Sequence, residues 1–311
     1  MDCRHISMLM THCHLLSVAA QATHMSFMTQ HCRVSPTLSS GCVQNKLKLN
    51  PSKKEFLWYT IHRRLLIDES PFIIGNATIQ PAMSVWNLSF LMDRNLLLRS
   101  HITRLIGARF KALRQVWAIR RSLTTDASRM LVSSAVVSRI DYCNCIFAEL
   151  PDFSLDRLQQ VMNAAARVIS RRRKYDHISD VLQDLHWLWV PQRIEFKLCF
   201  MVYKALHNLT PLYLSELCIP VTVVAARQRL RYSSTGNLVA SKPRSEFGKR
   251  AFAFAGLHAW NNLPQMIKSS TSVAVFKSNW RHLFRQCYNF PVFFVYFDFQ
   301  NFSVQLAYLI I

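Results

Sequence analysis

Two pairs of aspartates stand four residues apart, a spacing that places both carboxylates of a pair on one face of a helix. The pairs are Asp152 with Asp156 and Asp180 with Asp184. Carboxylates that hold two metal ions about 4 Å apart can catalyse phosphoryl transfer. Solvated acids on a helix surface explain the same spacing, and we favour that interpretation. We therefore predict no catalytic residue, no bound metal and no cofactor.

Cysteine and histidine suggest two further sites. Residues 1–45 are rich in both, but their spacing matches no zinc finger, and the polar composition predicts disorder. Cys143-Asn144-Cys145 suggests a thiol site beside Asp141, and we interpret the pair of thiols as incidental. The chain has 9 cysteines, scattered and odd in number. This pattern favours a reducing cytoplasmic or nuclear setting over a secreted disulfide framework.

Positive charge is the strongest chemical signal. Lys and Arg number 38 against 17 Asp and Glu, which gives a formal net charge of +21. A polyanion such as nucleic acid would neutralise this charge. We predict that cations with aromatic side chains alongside bind the backbone of RNA or DNA without sequence preference. The residues assigned to this role are Arg104, Lys111, Arg114, Arg120, Arg121, Arg171, Arg172, Arg173 and Lys174.

Each of these cations could equally be a solvated surface residue, so the prediction depends on the cluster. Amphipathic helices must position them. Apolar residues at three- and four-residue steps predict helices over 101–121, 124–140, 155–169, 177–186, 191–208 and 273–283. The apolar stripe expected in the first of these is Ile102, Leu105, Ile106, Phe110, Leu113, Val116 and Trp117.

Capping residues and turns refine these boundaries. Thr124 or Thr125 is expected to cap the second helix, and Asp152 or Ser154 the third. Pro191 suits a first helical turn. Gly75-Asn76 between short extended segments predicts a β-hairpin. The sequence thus predicts a mainly α fold, a helical bundle with a small β portion.

A series of sequence blocks follows in order from residue 45. They include NKLKLNPSKKEFL (45–57), SVWNLSFLMDRNL (84–96), SRIDYCNCIFAELP (138–151), KYDHISDVLQDLHWL (174–188) and VAVFKSNWRHLF (273–284). Together they resemble the end of the palm, the thumb and the C-terminal region of a LINE-type (non-LTR, jockey superfamily) retrotransposon reverse transcriptase. The family generally has glycine where Ser89 stands and proline where Trp189 stands. If that glycine supplies a conformation that a Cβ resists, the turn at Ser89 is impaired.

The resemblance implies a domain order. Residues 1–45 are an out-of-frame or disordered segment, 46–96 a palm remnant, 97–210 a thumb-like helical domain, 211–285 a C-terminal helical region and 286–311 a hydrophobic tail. Ser7-Met8-Leu9-Met10-Thr11 can be encoded so that a one-base shift reads Tyr-Ala-Asp-Asp, the catalytic motif of the family. The codons of Ser7 and Leu9 decide this hypothesis.

Three functions remain open. The chain is a truncated reverse transcriptase remnant that lacks the catalytic aspartates and at most binds RNA or DNA through basic helices. Alternatively, it is a basic helical nucleic-acid-binding module with a role of its own. The third possibility is a membrane-associated basic protein that uses residues 286–311, although Asp298 would stand near the middle of any span. We predict no small-molecule substrate and consider a membrane partner the least favoured.

Overall fold

The computed structural model describes Gln44, Glu55, Leu57 and residues 72–74, 77–87, 89–224, 235–240, 242–243 and 248–288. The chain divides into two compact units, Met1–His101 and Ile102–Ile311. Apart from Gln44, the segment predicted to be disordered or out of frame lies outside the described residues. The hydrophobic tail beyond residue 288 also lies outside them.

Two antiparallel hairpins form the β portion of the first unit. Strand β1 (Phe72–Ile74) pairs with β2 (Ala77–Ile79), and Ile74 stands opposite Ala77. The connection is therefore residues 75 and 76, which confirms the predicted hairpin. Strand β3 (Ser84–Asn87) pairs with β4 (Phe90–Asp93) in the same way.

The second hairpin turns through Ser89, whose φ is 68°. This left-handed conformation is easy for glycine and costs a residue with a Cβ about 1 kcal/mol. The resemblance described above expects glycine at this position. Ser89 therefore has the left-handed conformation that a Cβ resists, which is the condition for the predicted impairment of the turn.

A buried histidine, His101, follows β4 in the first unit. Leu91 N donates to His101 Nδ1 over 3.2 Å, and the centroid of the His101 ring lies 4.0 Å from that of Phe90. A ring nitrogen that accepts from the backbone must be unprotonated. Burial lowers the pKa of His101 to about 4, so the imidazole is neutral at pH 7.

Helices account for most of the described chain, which confirms the mainly α fold class. They are α1 (Arg99–Ile119), α2 (Thr125–Val132), α3 (Ser138–Asp141), α4 (Asp152–Ser170), α5 (Ser179–Asp184), α6 (Val190–Leu206), α7 (Leu212–Ser215), α8 (Phe252–Asn261), α9 (Gln265–Lys268) and α10 (Val273–Tyr288). Among the described residues, no helix combines the length and apolar character needed to cross a bilayer.

The predicted caps have mixed outcomes. Thr124 caps α2, because its hydroxyl accepts from Ala127 N over 3.2 Å. Neither Asp152 nor Ser154 caps α4, so that prediction is wrong. The residue before the helix is Pro151, which fixes an extended conformation, and Asp152 is already the first helical residue. Ser154 is buried, and its backbone N donates to Pro151 O over 2.9 Å.

The single helix predicted over 124–140 is helical throughout but not uniform. A π-helical stretch, Ser133–Val137, separates α2 from α3. The Ser138 hydroxyl donates to Ser134 O over 2.5 Å, and that of Ser134 to Leu131 O over 3.1 Å. These serines bond the backbone within this stretch, so a side-chain feature of the sequence accompanies the wider turn.

Helix α6 is the centre of the second unit. The apolar residues at helical spacing, Ile194, Leu198, Met201, Val202 and Ala205, are all buried. So are Phe196, Cys199, Phe200 and Tyr203 on its other sides. Trp189 precedes this helix at φ −62°, an angle that proline also adopts, and Pro191 occupies the first turn as predicted. The tryptophan therefore leaves the helix start intact.

Aromatic rings of α6, α8 and α10 pack together. They form the aromatic centre: Phe196, Phe200 and Tyr203 of α6, Trp260 of α8, and Phe276 and Trp280 of α10. The Phe276 ring lies 4.5 Å from Tyr203 and 6.0 Å from Phe200, and the Trp280 ring lies 5.4 Å from Phe196. These are favourable aromatic separations. Helices α8 and α10 therefore share a core with α6.

Candidate nucleic-acid interface

The structure brings together two basic runs that are far apart in the sequence. The Arg171 guanidinium donates to Arg120 O over 3.3 Å and to Leu123 O over 3.2 Å. These carbonyls belong to the 3₁₀ turn Arg120–Ser122, which continues α1, and to the residue after it. We call the resulting surface the basic end and define it as residues 117–123 and 171–175. It holds six of the nine predicted cations.

Local bonds shape the turn that presents this surface. Helix α4 ends at Arg171 in the left-handed conformation, with φ 57°. Asp176 Oδ2 then accepts from Arg173 N over 2.8 Å, while Asp176 O accepts from the Arg167 guanidinium over 3.2 Å. The chain after α4 is therefore folded back on the last turn of the helix.

The cations of the basic end differ in how they are used. Arg121, Arg173 and Lys174 are exposed. Arg172 instead forms an ion pair with Asp180 at 2.5 Å and donates to His177 O over 3.2 Å. Its charge is balanced within the chain. The Asp180 carboxylate therefore competes with a phosphate for Arg172, whose assigned role in binding stays a prediction.

Two aromatic rings lie among these cations. The Arg120 guanidinium carbon stands 3.0 Å from the centroid of the Trp117 ring, a stacked cation–π contact. Lys174 Nζ lies 5.2 Å from the centroid of the Tyr175 ring. Trp117 is 44% exposed and Tyr175 87% exposed. The basic end therefore offers accessible rings as well as charge.

Trp117 and Phe110 also correct the predicted stripe of α1. Ile102, Leu113 and Val116 are buried as expected, but Phe110 is 36% exposed. Phe110 and Trp117 stand seven residues apart at one edge of the stripe, where the helix surface turns towards solvent. Periodicity placed them on the apolar side and could not fix the width of the buried face.

The remaining predicted cations follow α1. Arg104, Lys111 and Arg114 are all exposed. Their spacing of seven and then three residues keeps them on one side of the helix, the side that continues to Arg121. The exposed basic face of α1 is thus continuous with the basic end.

Sequence reasoning missed a group of arginines that brace the bundle. Arg109 Nη1 donates to Ala135 O, Arg129 to Asp184 O over 3.4 Å, and Arg157 to Thr103 Oγ1 over 3.3 Å. Burial, and then the charge of Arg139, lower the pKa of Arg109. Part of the positive charge therefore joins helices. No local signal separates these arginines from those at the basic end.

Helical periodicity predicts Gln159 on the polar face of α4, opposite the apolar stripe, but the residue is buried. Its amide oxygen accepts from Val190 N over 2.9 Å, and its nitrogen donates to Asn163 Oδ1 over 2.8 Å. Both ends of the side chain are satisfied, so the residue links α4 to the first turn of α6.

The thiol and carboxylate alternatives find little support in the geometry. Burial raises the pKa of Cys143 to about 12 and that of Cys145 to about 11, which keeps both thiols protonated and weakly nucleophilic. Asp141 Oδ2 pairs with Arg193 Nη1 at 2.7 Å, and Asp141 O accepts from Lys197. Within the described part of the chain, no group of three or more His, Cys, Asp or Glu residues is placed to hold a metal ion.

A small cavity of about 190 Å³ lies beside α8, lined in part by Gly236, Trp260 and Lys268. The Lys268 ammonium donates to Asn237 Oδ1 over 2.7 Å and to Asn261 O over 2.9 Å. Trp260 Nε1 donates to Gly236 O over 3.0 Å. These bonds join Gly236 and Asn237 to α8 and α9.

Comparisons with protein-family models, with curated proteins and with solved structures found no match for this chain. A function has to be argued from the charges, the exposed rings and the sequence pattern. Among the described residues, the basic end combines the most accessible cations with accessible aromatic rings, and it is the candidate site.

Proposed function

We propose that this chain binds RNA or DNA through the phosphate backbone, without sequence preference, using the basic end and the exposed face of α1. The observation that carries the proposal is the contact of Arg171 with the carbonyls of Arg120 and Leu123, which joins two basic runs into one surface. A chain with a net charge of +21 gains most from a polyanionic partner. Phosphate contacts of this kind need no base-specific geometry.

We also propose that the chain descends from a LINE-type reverse transcriptase. Support comes from the order and content of the sequence blocks from residue 45 to 285, and a mainly helical fold with an exposed basic surface is compatible with a thumb-like region. The blocks resemble parts of the enzyme that follow its catalytic aspartates. We accordingly propose binding and no polymerase chemistry for these residues.

Salt dependence tests the binding proposal. The full chain is titrated into a labelled duplex and a labelled single strand at several salt concentrations. Because bound cations release counterions, the logarithm of the binding constant should fall linearly with the logarithm of the salt concentration. A flat dependence, or no binding at low salt, overturns the proposal.

Matched charge reversals locate the surface. Arg121→Glu changes an exposed cation of the basic end, and Lys242→Glu makes the same change in net charge at an exposed residue outside it. We expect Arg121→Glu to weaken binding several-fold more than Lys242→Glu at low salt. Equal losses would show that net charge acts without a defined surface.

A further inference from the structure

We propose that the basic end prefers single-stranded nucleic acid, with unpaired bases stacked on Trp117 and Tyr175 while the neighbouring cations hold the phosphates. This inference rests on the proposed nucleic-acid binding and adds the class of ligand. The chemistry is shared by single-stranded RNA and single-stranded DNA.

The exposure of the two rings is the first argument. Tyr175 is 87% exposed and Trp117 is 44% exposed, whereas the rings of the aromatic centre are buried. The faces of an exposed aromatic ring are available to stack on another flat group. Each ring also has a cation beside it, Arg120 at Trp117 and Lys174 at Tyr175.

Both rings lie close in sequence to residues that take part in the Arg171 contact. Trp117 lies one helical turn before the 3₁₀ turn Arg120–Ser122, and Tyr175 lies four residues after Arg171. Because Arg171 bonds Arg120 O and Leu123 O, both rings lie at the same end of the helical bundle. The hydrogen bond from Arg173 N to Asp176 Oδ2 fixes the backbone of the turn that carries Tyr175. Both proposed stacking positions therefore lie within the basic end.

A duplex and an unpaired strand present different groups to such a surface. In a duplex the bases already stack on one another, so protein rings on an open surface find no free base face. An unpaired strand exposes its bases, and these stack on aromatic rings and on guanidinium planes with little dependence on sequence. The Arg120 guanidinium stacked on Trp117 extends that platform. Charge alone would favour the duplex, which has the higher charge density.

The test uses the full chain and oligonucleotides of equal length. The probes are labelled oligothymidylate, labelled oligouridylate, an abasic single strand that keeps the phosphates but lacks bases, and a duplex. Each is titrated against the unaltered protein and against Tyr175→Ala, Tyr175→Phe and Trp117→Ala. Circular dichroism of each variant confirms that the helices are intact.

Phe153→Ala is the matched control. Phe153 is 50% exposed and lies in the first turn of α4, at the opposite end of that helix from Arg171. At 1.5 Å per residue, the length of α4 separates the two sites by roughly 25 Å. Phe153→Ala removes an exposed ring of the same kind without touching the basic end.

We expect the base-bearing strands to bind about tenfold more tightly than the abasic strand, with a similar loss in Tyr175→Ala and Trp117→Ala. Tyr175→Phe and Phe153→Ala should retain the preference. Equal affinity for abasic and base-bearing strands, tighter binding to duplex, or an unchanged Tyr175→Ala overturns the stacking proposal and leaves backbone binding standing. Absence of binding to every probe overturns both.

Discussion

The aromatic centre and the basic end use the same residue types for opposite purposes. In the centre, six rings from α6, α8 and α10 are buried against one another, and Lys204 Nζ lies 4.9 Å from the Phe200 ring. At the basic end, Trp117 and Tyr175 lie among cations and remain accessible. Rings beside cations are therefore buried in one region and accessible in the other.

The polar atoms of the two regions differ in the same way. Tyr203 Oη donates to Ser270 O over 3.1 Å, and Trp260 Nε1 donates to Gly236 O, so both atoms bond within the chain. At the basic end, Arg171 is bonded to backbone carbonyls, while Arg121 and Arg173 extend from exposed positions. Substitutions should consequently affect stability in the centre and binding at the basic end.

The largest effect is expected from Trp280→Ala. Trp280 is fully buried, and its removal leaves a cavity among Phe196 and Phe276. We expect the free energy of unfolding to fall by about 3 to 5 kcal/mol in urea denaturation. Val275→Ala, at a 40% exposed residue on the same helix, should change it by less than about 0.5 kcal/mol. Similar losses in both variants would contradict the assignment of the centre.

A pair of glycine substitutions gives the next effect, with opposite signs. A Cβ added at Gly256 would lie 2.8 Å from the Phe252 ring and 3.3 Å from Val202 Cγ2, whereas one at Gly107 meets nothing within 4 Å. Gly256→Ala should lose about 1 to 2 kcal/mol through overpacking. Gly107→Ala should gain about 0.5 to 1 kcal/mol, because alanine favours the helix. Equal signs in thermal unfolding would break the contrast between buried and open surfaces.

Two arginines of the basic end should separate stability from binding. Arg171→Ala removes hydrogen bonds to Arg120 O and Leu123 O and should cost about 1 kcal/mol. Arg173→Ala removes an exposed side chain and should leave the free energy of unfolding unchanged while weakening oligonucleotide binding at low salt. Urea titration and the salt-dependent binding assay measure the two effects. A lower free energy of unfolding in Arg173→Ala would contradict the separate roles expected for the two arginines.

The smallest effect at neutral pH is expected from His101, a buried base of the first unit. Burial lowers its pKa to about 4 from an ordinary value near 6.5. The unfolded chain therefore takes up the proton first, and the contribution of His101 to stability is present above pH 6.5 and is lost as the pH falls towards 4. His101→Gln should flatten that dependence in unfolding experiments. An NMR titration of the ring with an ordinary midpoint would rule this out.

Local sequence patterns were sufficient for much of the architecture. Helical periodicity located α1, α4, α5, α6 and α10, Thr124 marked the start of α2, and the Gly75-Asn76 pair marked the first hairpin. They failed where a neighbour distant in sequence sets the environment. The helical pattern predicts Gln159 on the surface of α4. The residue is instead buried, and its amide oxygen accepts from Val190 N at the start of α6. The cap expected at Asp152 failed for a local reason, the fixed backbone of Pro151.

For this protein, composition and periodicity established the positive charge, the helical class and the positions of most helices, because these follow from contacts within a few residues. The packed structure established that α6 is the centre, that Arg171 reaches Arg120 and that Arg172 turns to Asp180. All the arginines have the same chemistry in the sequence. Their roles differ because burial and available carbonyls are set by segments that lie tens of residues apart, and folding alone brings those segments into contact.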